Sequence, residues 1–259
     1  MDASADEVMD IAQEGHRAYE RGDYDEARRL FRIAADHGNT WAQSWLGFMY
    51  EEGRGVEKDH AEALRLYRLA ADQGYAWAQC NLGLMYEKGH GVGQDYGEAC
   101  RLYRLAADQG DAYAQCNLGF MYEEGRGVGQ DYAEALRLYR LAADQGHARA
   151  QCNLGFMYSK GRGVGQDYGE ACRLYRLAAD QGDARAQCNL GFMYKEGRGV
   201  EQSDAEALRL YRLAAGQGDA YAQNSLGVMY AEGRGVGQDY GEARHWYRLA
   251  ADQGHAGAQ

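Results

Sequence analysis

The chain has 259 residues and a formal net charge of −11 at pH 7, with 36 glycines and no proline. This acidic balance argues against nucleic acid as a partner, because phosphate backbones repel a chain of like charge. The N-terminus is acidic and lacks the apolar segment of a signal peptide, and no apolar run is long enough to cross a bilayer, so we expect a cytoplasmic protein without membrane insertion.

Residues 1–39 predict a first helix pair. In the segment "GHRAYERGDYDEARRLFRIAADHGN" (15–39), Ala18, Gly22 and Tyr24 stand at the spacing of a tetratricopeptide repeat, which the segment resembles. Glu14 occupies a position that is usually apolar in that repeat. We therefore expect a polar-faced cap at the start of a helical stack.

Residues 40–255 consist of six copies of a 36-residue repeat, a period typical of stacked helical arrays. The hexapeptide "AQCNLG" occurs four times in this frame, and "AQSWLG" and "AQNSLG" extend it on either side. These segments begin at Ala42, Ala78, Ala114, Ala150, Ala186 and Ala222. The final "AGAQ" (256–259) predicts the start of a truncated further repeat.

Each copy predicts two helices. In residues 111–146, Ala114, Leu118 and Tyr122 lie at i, i+4 and i+8, which indicates one face of a first helix that Gly125 ends. A second apolar stripe, which includes Tyr139, predicts the second helix. Because a single pair is too thin to bury both of its faces, the pattern predicts an all-α solenoid of about seven antiparallel helix pairs.

A capping signal precedes each second helix. Asp131 is the expected N-cap, and Glu134 three residues later would complete a capping box. The same pair recurs as Asp59 and Glu62, Asp95 and Glu98, Asp167 and Glu170, Ser203 and Glu206, and Asp239 and Glu242.

The copy at 112–146 carries the marks of a known repeat family. It has "LG" followed by "MY" (118–122), a "GxGV" connector (125–128) and "YRLAADQG" (139–146). It resembles a Sel1-like repeat of the tetratricopeptide-like superfamily. Over residues 40–255, this resemblance implies a right-handed α-α superhelix that serves as a protein–protein interaction scaffold and has no catalytic or cofactor site. Many Sel1-like copies have proline after "GV", whereas this chain has glycine or glutamate, which favours a looser connector.

The connector "GRGVGQDY" (125–132) also has the composition of a phosphate-binding loop. Phosphate-binding loops of this type follow a strand, whereas this loop follows a predicted helix and occurs six times. A helix–helix connector is therefore favoured, and no cofactor is expected. Its arginine recurs as Arg54, Arg126, Arg162, Arg198 and Arg234, with His90 in the remaining copy. These side chains predict a row along one edge of the solenoid, either a solvated ridge or a second contact edge.

The six cysteines are predicted to be free thiols that act as small apolar residues. Four share one first-helix position, namely Cys80, Cys116, Cys152 and Cys188, and two share a second-helix position, namely Cys100 and Cys172. Packed helices lie about 8–10 Å apart, too far for disulfides along the stack, and no C-x-x-C motif suggests a metal site. Free thiols favour a reducing compartment.

No catalytic triad is expected from the seven scattered histidines. His147 and His255 lie in the turn between repeats and His90 replaces a loop arginine, which indicates drift at solvated positions. The paired acids Glu123 and Glu124 are expected to end a helix in solvent.

Two variable first-helix positions predict a partner-binding surface. The earlier position holds Trp41, Trp77, Tyr113, Arg149, Arg185 and Tyr221, and the later one holds Phe48, Leu84, Phe120, Phe156, Phe192 and Val228. Aromatic residues and arginine are favoured anchors at interfaces. The resemblance to tetratricopeptide stacks implies that first helices line the concave side. The alternative for the phenylalanines is packing between adjacent first helices.

These patterns predict a non-enzymatic scaffold or adaptor that binds partner proteins or peptides along the concave face. Glu51, Glu52 and Glu87 suggest an acidic, aromatic N-terminal half of the groove, followed by a basic, aromatic half. One alternative is a hydrolase-like or thiol-dependent activity, and another is the repeat module of a larger signalling or protein-quality-control protein. The last second helix lacks a following repeat, so self-association through its outer side is a further expectation.

Overall fold

The computed structural model describes residues 4–254, and within this range the chain folds entirely into α-helices and short turns. The helices are α1 Ala5–Glu20, α2 Tyr24–Asp36, α3 Thr40–Glu52, α4 His60–Asp72, α5 Ala76–Lys88, α6 Tyr96–Asp108, α7 Ala112–Glu124, α8 Tyr132–Asp144, α9 Ala148–Lys160, α10 Tyr168–Asp180, α11 Ala184–Glu196, α12 Asp204–Gly216, α13 Ala220–Glu232 and α14 Tyr240–Asp252. The predicted truncated repeat at 256–259, like His255, lies outside the described residues. None of the described helices is long and apolar enough to cross a membrane.

The helices divide between two compact units, residues Met1–Asp131 and Tyr132–Gln259. In the N-terminal unit each of α1 to α6 packs against the next helix in the chain. In the C-terminal unit α8 to α14 pack sequentially in the same way. The predicted all-α solenoid of about seven helix pairs is confirmed.

The second helices begin at the predicted N-caps. The Asp59 carboxylate accepts the backbone N–H of Glu62 at 3.0 Å, and Asp95, Asp167, Ser203 and Asp239 cap their helices in the same way. The second hydrogen bond of the predicted capping box, from the backbone N–H of the N-cap residue to the glutamate carboxylate, is wrong for these copies. The backbone N–H of Asp59 donates instead to the carbonyl of Tyr50 at 3.0 Å, which leaves the Glu62 carboxylate to bind Arg65 at 2.8 Å.

The first helices have caps of their own in the turn between repeats. Asn39, Asp111, Asp183 and Asp219 each accept a backbone N–H from the first turn of their helix. His147 does the same, because its Nδ1 accepts the N–H of Ala150 at 3.2 Å. The expectation that His147 is drift at a solvated position is therefore wrong, and the residue is a helix cap.

The connector after each first helix is a packed joint. Gly125 has φ +67° and its N–H donates to the carbonyl of Met121, which confirms the predicted helix stop. Gly127 has φ +69°, and a Cβ atom there would lie 2.2 Å from the carbonyl oxygen of Tyr96 at the start of α6. The second glycine of the connector thus lets the backbone touch the second helix of the preceding pair.

The core combines small and large residues in a fixed order. Tyr67 and Tyr103 are fully buried, and each ring lies against a first-helix glycine, Gly47 or Gly83. A Cβ atom at Gly83 would lie 2.9 Å from the Tyr103 ring, so a larger residue would force the two helices apart.

A ladder of buried glutamines joins successive pairs, and sequence reasoning missed it. The Gln79 side-chain amide donates to the carbonyl of Ala71 at 3.3 Å, and its oxygen accepts a hydrogen bond from Gln109 at 2.8 Å. The buried members are Gln43, Gln79, Gln115, Gln151, Gln187 and Gln223. The "AQ" dipeptide in every copy was the available signal, because a polar residue at a core position must be hydrogen-bonded.

Candidate partner-binding surface

A pocket of about 350 Å³ opens among the first helices of the C-terminal unit, α9, α11 and α13. Its walls are Phe156, Arg185, Cys188, Asn189, Phe192, Tyr211, Asp219, Tyr221 and Ser225. Four of these residues belong to the predicted partner-binding surface, namely Phe156, Arg185, Phe192 and Tyr221. Sequence reasoning missed the polar walls, because they come from three helices and the turn before α13.

Large side chains at this pocket remain open to solvent. Tyr221 is 69% exposed and Phe192 is 42% exposed, although both carry large apolar rings. The Arg185 side chain on α11 is exposed, and one of its Nη atoms donates to the Asn153 Oδ1 of α9 at 2.8 Å. This bond fixes the guanidinium between the two helices at the edge of the pocket.

Two groups in the wall of the pocket, the Cys188 thiol and the Tyr211 hydroxyl, stay protonated at neutral pH. Burial, followed by the Asp219 carboxylate, raises the pKa of the Cys188 thiol. Burial also raises the pKa of the Tyr211 hydroxyl. The Asp219 carboxylate itself accepts the N–H of Ala222 at 2.8 Å, where it caps α13.

A smaller cavity of about 90 Å³ adjoins this pocket along α9 and α11. The two share Phe156, Asn189 and Phe192, and the smaller one adds Arg198 and Tyr168. We call the two neighbouring pockets together the C-terminal groove, whose large rings are Phe156, Phe192 and Tyr221.

The loop arginines lie against aromatic rings. The guanidinium of Arg126 stands 5.2 Å from the Phe120 ring centroid and 6.0 Å from that of Tyr96, and Arg198 is placed likewise over Phe192 and Tyr168. These are distances at which a cation is attracted to the face of a ring. The predicted row of arginines therefore contributes to the joints between pairs and flanks the phenylalanines of the predicted surface.

In the N-terminal unit the predicted anchors pack on one another. Trp77 and Phe48 lie 5.5 and 5.7 Å from the Trp45 ring centroid, and Trp41 lies 6.5 Å from it. Trp41, Phe48, Trp77 and Leu84 are all partly buried. By contrast, Tyr113 is 66% exposed. This part of the predicted surface is mainly an aromatic cluster.

The predicted acidic half of the groove is wrong at its inner positions. The Tyr67 hydroxyl donates to the buried carboxylate of Glu51 at 3.0 Å, and Tyr103 donates to Glu87 at 2.6 Å. Glu123, expected in solvent, is only 7% exposed. Each of these glutamates lies three residues after the later variable position, about 60° away from it around the helix.

The thiols are placed as predicted, and their chemistry is suppressed. All six cysteines are free, and all except Cys188 are buried. Burial raises the pKa of Cys100 to about 11 and that of Cys152 to about 12. Because the thiolate is the nucleophile, these groups are inert at neutral pH. Among residues 4–254 no cluster of three metal-binding side chains occurs.

Comparison with protein families gives one match. A family model described as Sel1 repeat matches residues 12–39, 42–75, 78–111, 112–147, 148–183, 184–219 and 220–255. The first match coincides with the unit that resembles a tetratricopeptide repeat. A search of curated proteins gave no match.

Solved structures are similar over most of the chain. A Sel1 repeat protein from Oxalobacter formigenes has 36% identity and a TM-score of 0.86, over 93% of this chain and 96% of that one. The protective antigen c5321, present in uropathogenic Escherichia coli strains, displays an SLR fold and has 42% identity and a TM-score of 0.78, over 89% of this chain. The chain spans only 50% of the length of that protein. Immunity protein Pa5087 from Pseudomonas aeruginosa, at 22% identity and a TM-score of 0.55, covers 82% of this chain and 83% of its own and shares the fold.

Proposed function

Because the chain belongs to the Sel1 repeat family, whose fold is generally a protein–protein interaction module, we propose that it is a non-enzymatic scaffold or adaptor. It binds a protein or peptide partner along the face of its first helices, which forms the concave side of the stack. It acts alone or as the repeat module of a larger signalling or protein-quality-control protein. The free, buried thiols support a reducing, cytoplasmic location and count against a thiol-dependent activity.

The C-terminal groove carries this proposal. It presents two exposed aromatic rings, Phe192 and Tyr221, next to the exposed guanidinium of Arg185. Tyrosine and arginine are enriched among the residues that dominate binding energy at interfaces. The volume of the pocket, about 350 Å³, accommodates one or two side chains of a partner.

The test is capture of a partner by the intact protein and by a double variant, F192S/Y221S. We expect the variant to lose at least about tenfold in affinity for any partner bound in the groove, because it removes both exposed rings. L177S is the matched control, since Leu177 is 41% exposed on the second helix α10 and Phe192 is 42% exposed on α11. Equal capture by wild type and F192S/Y221S would contradict the proposal.

We also propose self-association through α14. Within this helix only Ala243 and Ala250 are buried, while Tyr240 is 64% exposed and Trp246 and Tyr247 are partly exposed. Light scattering of the purified protein is expected to show a dimer that the double variant W246S/Y240S reduces to a monomer. A monomeric wild type at high protein concentration would contradict this contact.

A further inference from the structure

Two first helices of the C-terminal unit, α9 and α11, are basic in a chain whose net charge is −11. Helices α9 and α11 carry four basic residues, Arg149, Lys160, Arg185 and Lys195, against a single acid, Glu196. By contrast, α3 of the N-terminal unit carries two acids and no basic residue. The positive charge is therefore local to α9 and α11, whereas α13, which also lines the groove, carries one acid and no basic residue.

The acids near this groove are engaged in capping. Asp183 and Asp219 accept the backbone N–H groups of Ala186 and Ala222 at 2.7 and 2.8 Å. A carboxylate at a helix N-terminus is also compensated by the helix dipole. The dipole compensates these carboxylates in part, and among the lining residues Arg185, Lys160 and Arg198 outnumber the single acid Asp219.

Arginine and apolar surface alternate along the groove. The bond from Arg185 to Asn153 uses one of the five N–H donors of the guanidinium, and the side chain is exposed. Phe192 and Tyr221 stand beside it around the pocket. The guanidinium of Arg198 lies 5.4 Å from the Phe192 ring centroid at the other end of the groove. A ligand that matches this order has carboxylates next to apolar side chains.

We propose that the C-terminal groove binds an acidic peptide segment that carries apolar anchor residues. The carboxylates of the segment pair with Arg185 and Arg198, which line the two parts of the groove, and an apolar side chain enters the pocket between Phe192 and Tyr221. A guanidinium binds a carboxylate through two parallel hydrogen bonds, which gives orientation as well as affinity. This assignment rests on the proposed function and adds the chemistry of the partner to it.

The test is selection from a phage-displayed library of random dodecapeptides on the intact protein. We expect the enriched peptides to have a net negative charge and at least two aromatic or large aliphatic residues. Binding of a synthetic enriched peptide is then measured by fluorescence anisotropy. Its affinity should fall at least about fivefold between low and high salt, because the exposed charges are screened. It should fall at least about tenfold in R185E/R198E.

The matched control is R173E, which introduces the same charge on the exposed side of the second helix α10. Arg173 pairs with Glu170 there, with a side chain 58% exposed, so its loss costs little stability. We expect R173E to bind the acidic peptide within about twofold of wild type. Circular dichroism of each variant verifies that the helices are retained.

The outcomes separate this inference from the proposed function. Enriched peptides that are neutral or basic, and that lose binding in F192S/Y221S, would overturn the acidic segment and keep the groove as a peptide site. Peptides that bind wild type, R185E/R198E and F192S/Y221S equally, or no enrichment at all, would overturn both. Retention of an oligonucleotide without enrichment of acidic peptides would also overturn the inference.

Discussion

At the scale of single residues, two positions thirty apart in sequence change together. The loop arginine usually faces a tyrosine that starts the preceding second helix, as Arg126 faces Tyr96. Where that tyrosine is replaced by Asp204, Arg234 forms an ion pair with it at 2.9 Å. Where it is replaced by His60, the arginine becomes His90, and the two rings stack with centroids 4.6 Å apart. The two positions are therefore in contact in each of these joints, although the contact is a cation over a ring in one, an ion pair in another and stacked rings in the third.

The His60–His90 joint predicts a pH-dependent stability. The Nδ1 atoms of both rings are buried without a hydrogen-bond partner. The pKa of His90 is lowered, first by burial and then by the neighbouring charges of His60, Lys88 and Lys58, while Glu51 opposes this shift. Because the pKa of His90 is lower in the folded than in the unfolded chain, the unfolded chain binds the proton more readily. Stability should therefore fall as the pH drops below about 6.5, the ordinary histidine value.

The variant H60Y/H90R places the arginine–tyrosine pair of the neighbouring copies in this joint. We expect the thermal midpoint of wild type to fall between pH 7.5 and 5.5 and that of the variant to fall less, because its pair has no group that titrates in this range. Differential scanning calorimetry across this range measures the effect. Parallel pH curves for the two proteins would contradict the assignment to this joint.

At the scale of elements, the connector is the segment whose role was hardest to predict from the sequence. Its glycine spacing suggested a turn between two helices, and Gly125 does end α7 in the left-handed region. Gly127 has a second role, because its backbone lies against the first residues of α6 in the preceding pair. The spacing of glycines predicts the local turn, but it does not predict a contact with a residue about thirty positions away in the sequence.

Two alanine substitutions in the same connector separate these roles. G127A should lower the free energy of unfolding by at least about 2 kcal/mol, because an L-residue at positive φ is strained and its Cβ meets backbone atoms of α6. G129A is the control, since a Cβ there meets no atom within 4 Å, and it should change stability by less than about 0.5 kcal/mol. Urea denaturation followed by circular dichroism compares the two. Equal effects would mean that the connector is not packed.

At the scale of the whole molecule, the fold buries five of the six cysteines. A pKa of about 11 for Cys100, against an ordinary value of 9.0, reduces its thiolate fraction roughly a hundredfold at neutral pH. We expect the native protein to react with Ellman's reagent at least about a hundredfold more slowly than the chain unfolded in urea. The variant with the five buried cysteines replaced by alanine, which leaves Cys188 in the pocket unchanged, should retain partner binding. Rapid native reaction, or loss of binding with the fold intact, would support a thiol-dependent function.

The sequence by itself determined the helix pairs, their caps and their stacking. A period of 36 residues repeats the same apolar stripes and N-cap residues, and these act within a few residues of one another along the chain. Residue spacing also identified four walls of the C-terminal groove, namely Phe156, Arg185, Phe192 and Tyr221. These outward positions could be predicted because they vary while the packing positions repeat.

Only the tertiary structure decided which of the variable side chains are available to a partner. Trp41 and Trp77 pack with Trp45, and Glu51 accepts a hydrogen bond from a buried tyrosine, whereas Tyr221 and Phe192 remain exposed. The physical reason is that exposure depends on neighbours contributed by adjacent repeats. Phe48 is therefore partly buried in an aromatic cluster, whereas Phe192, at the same position of its repeat, is exposed.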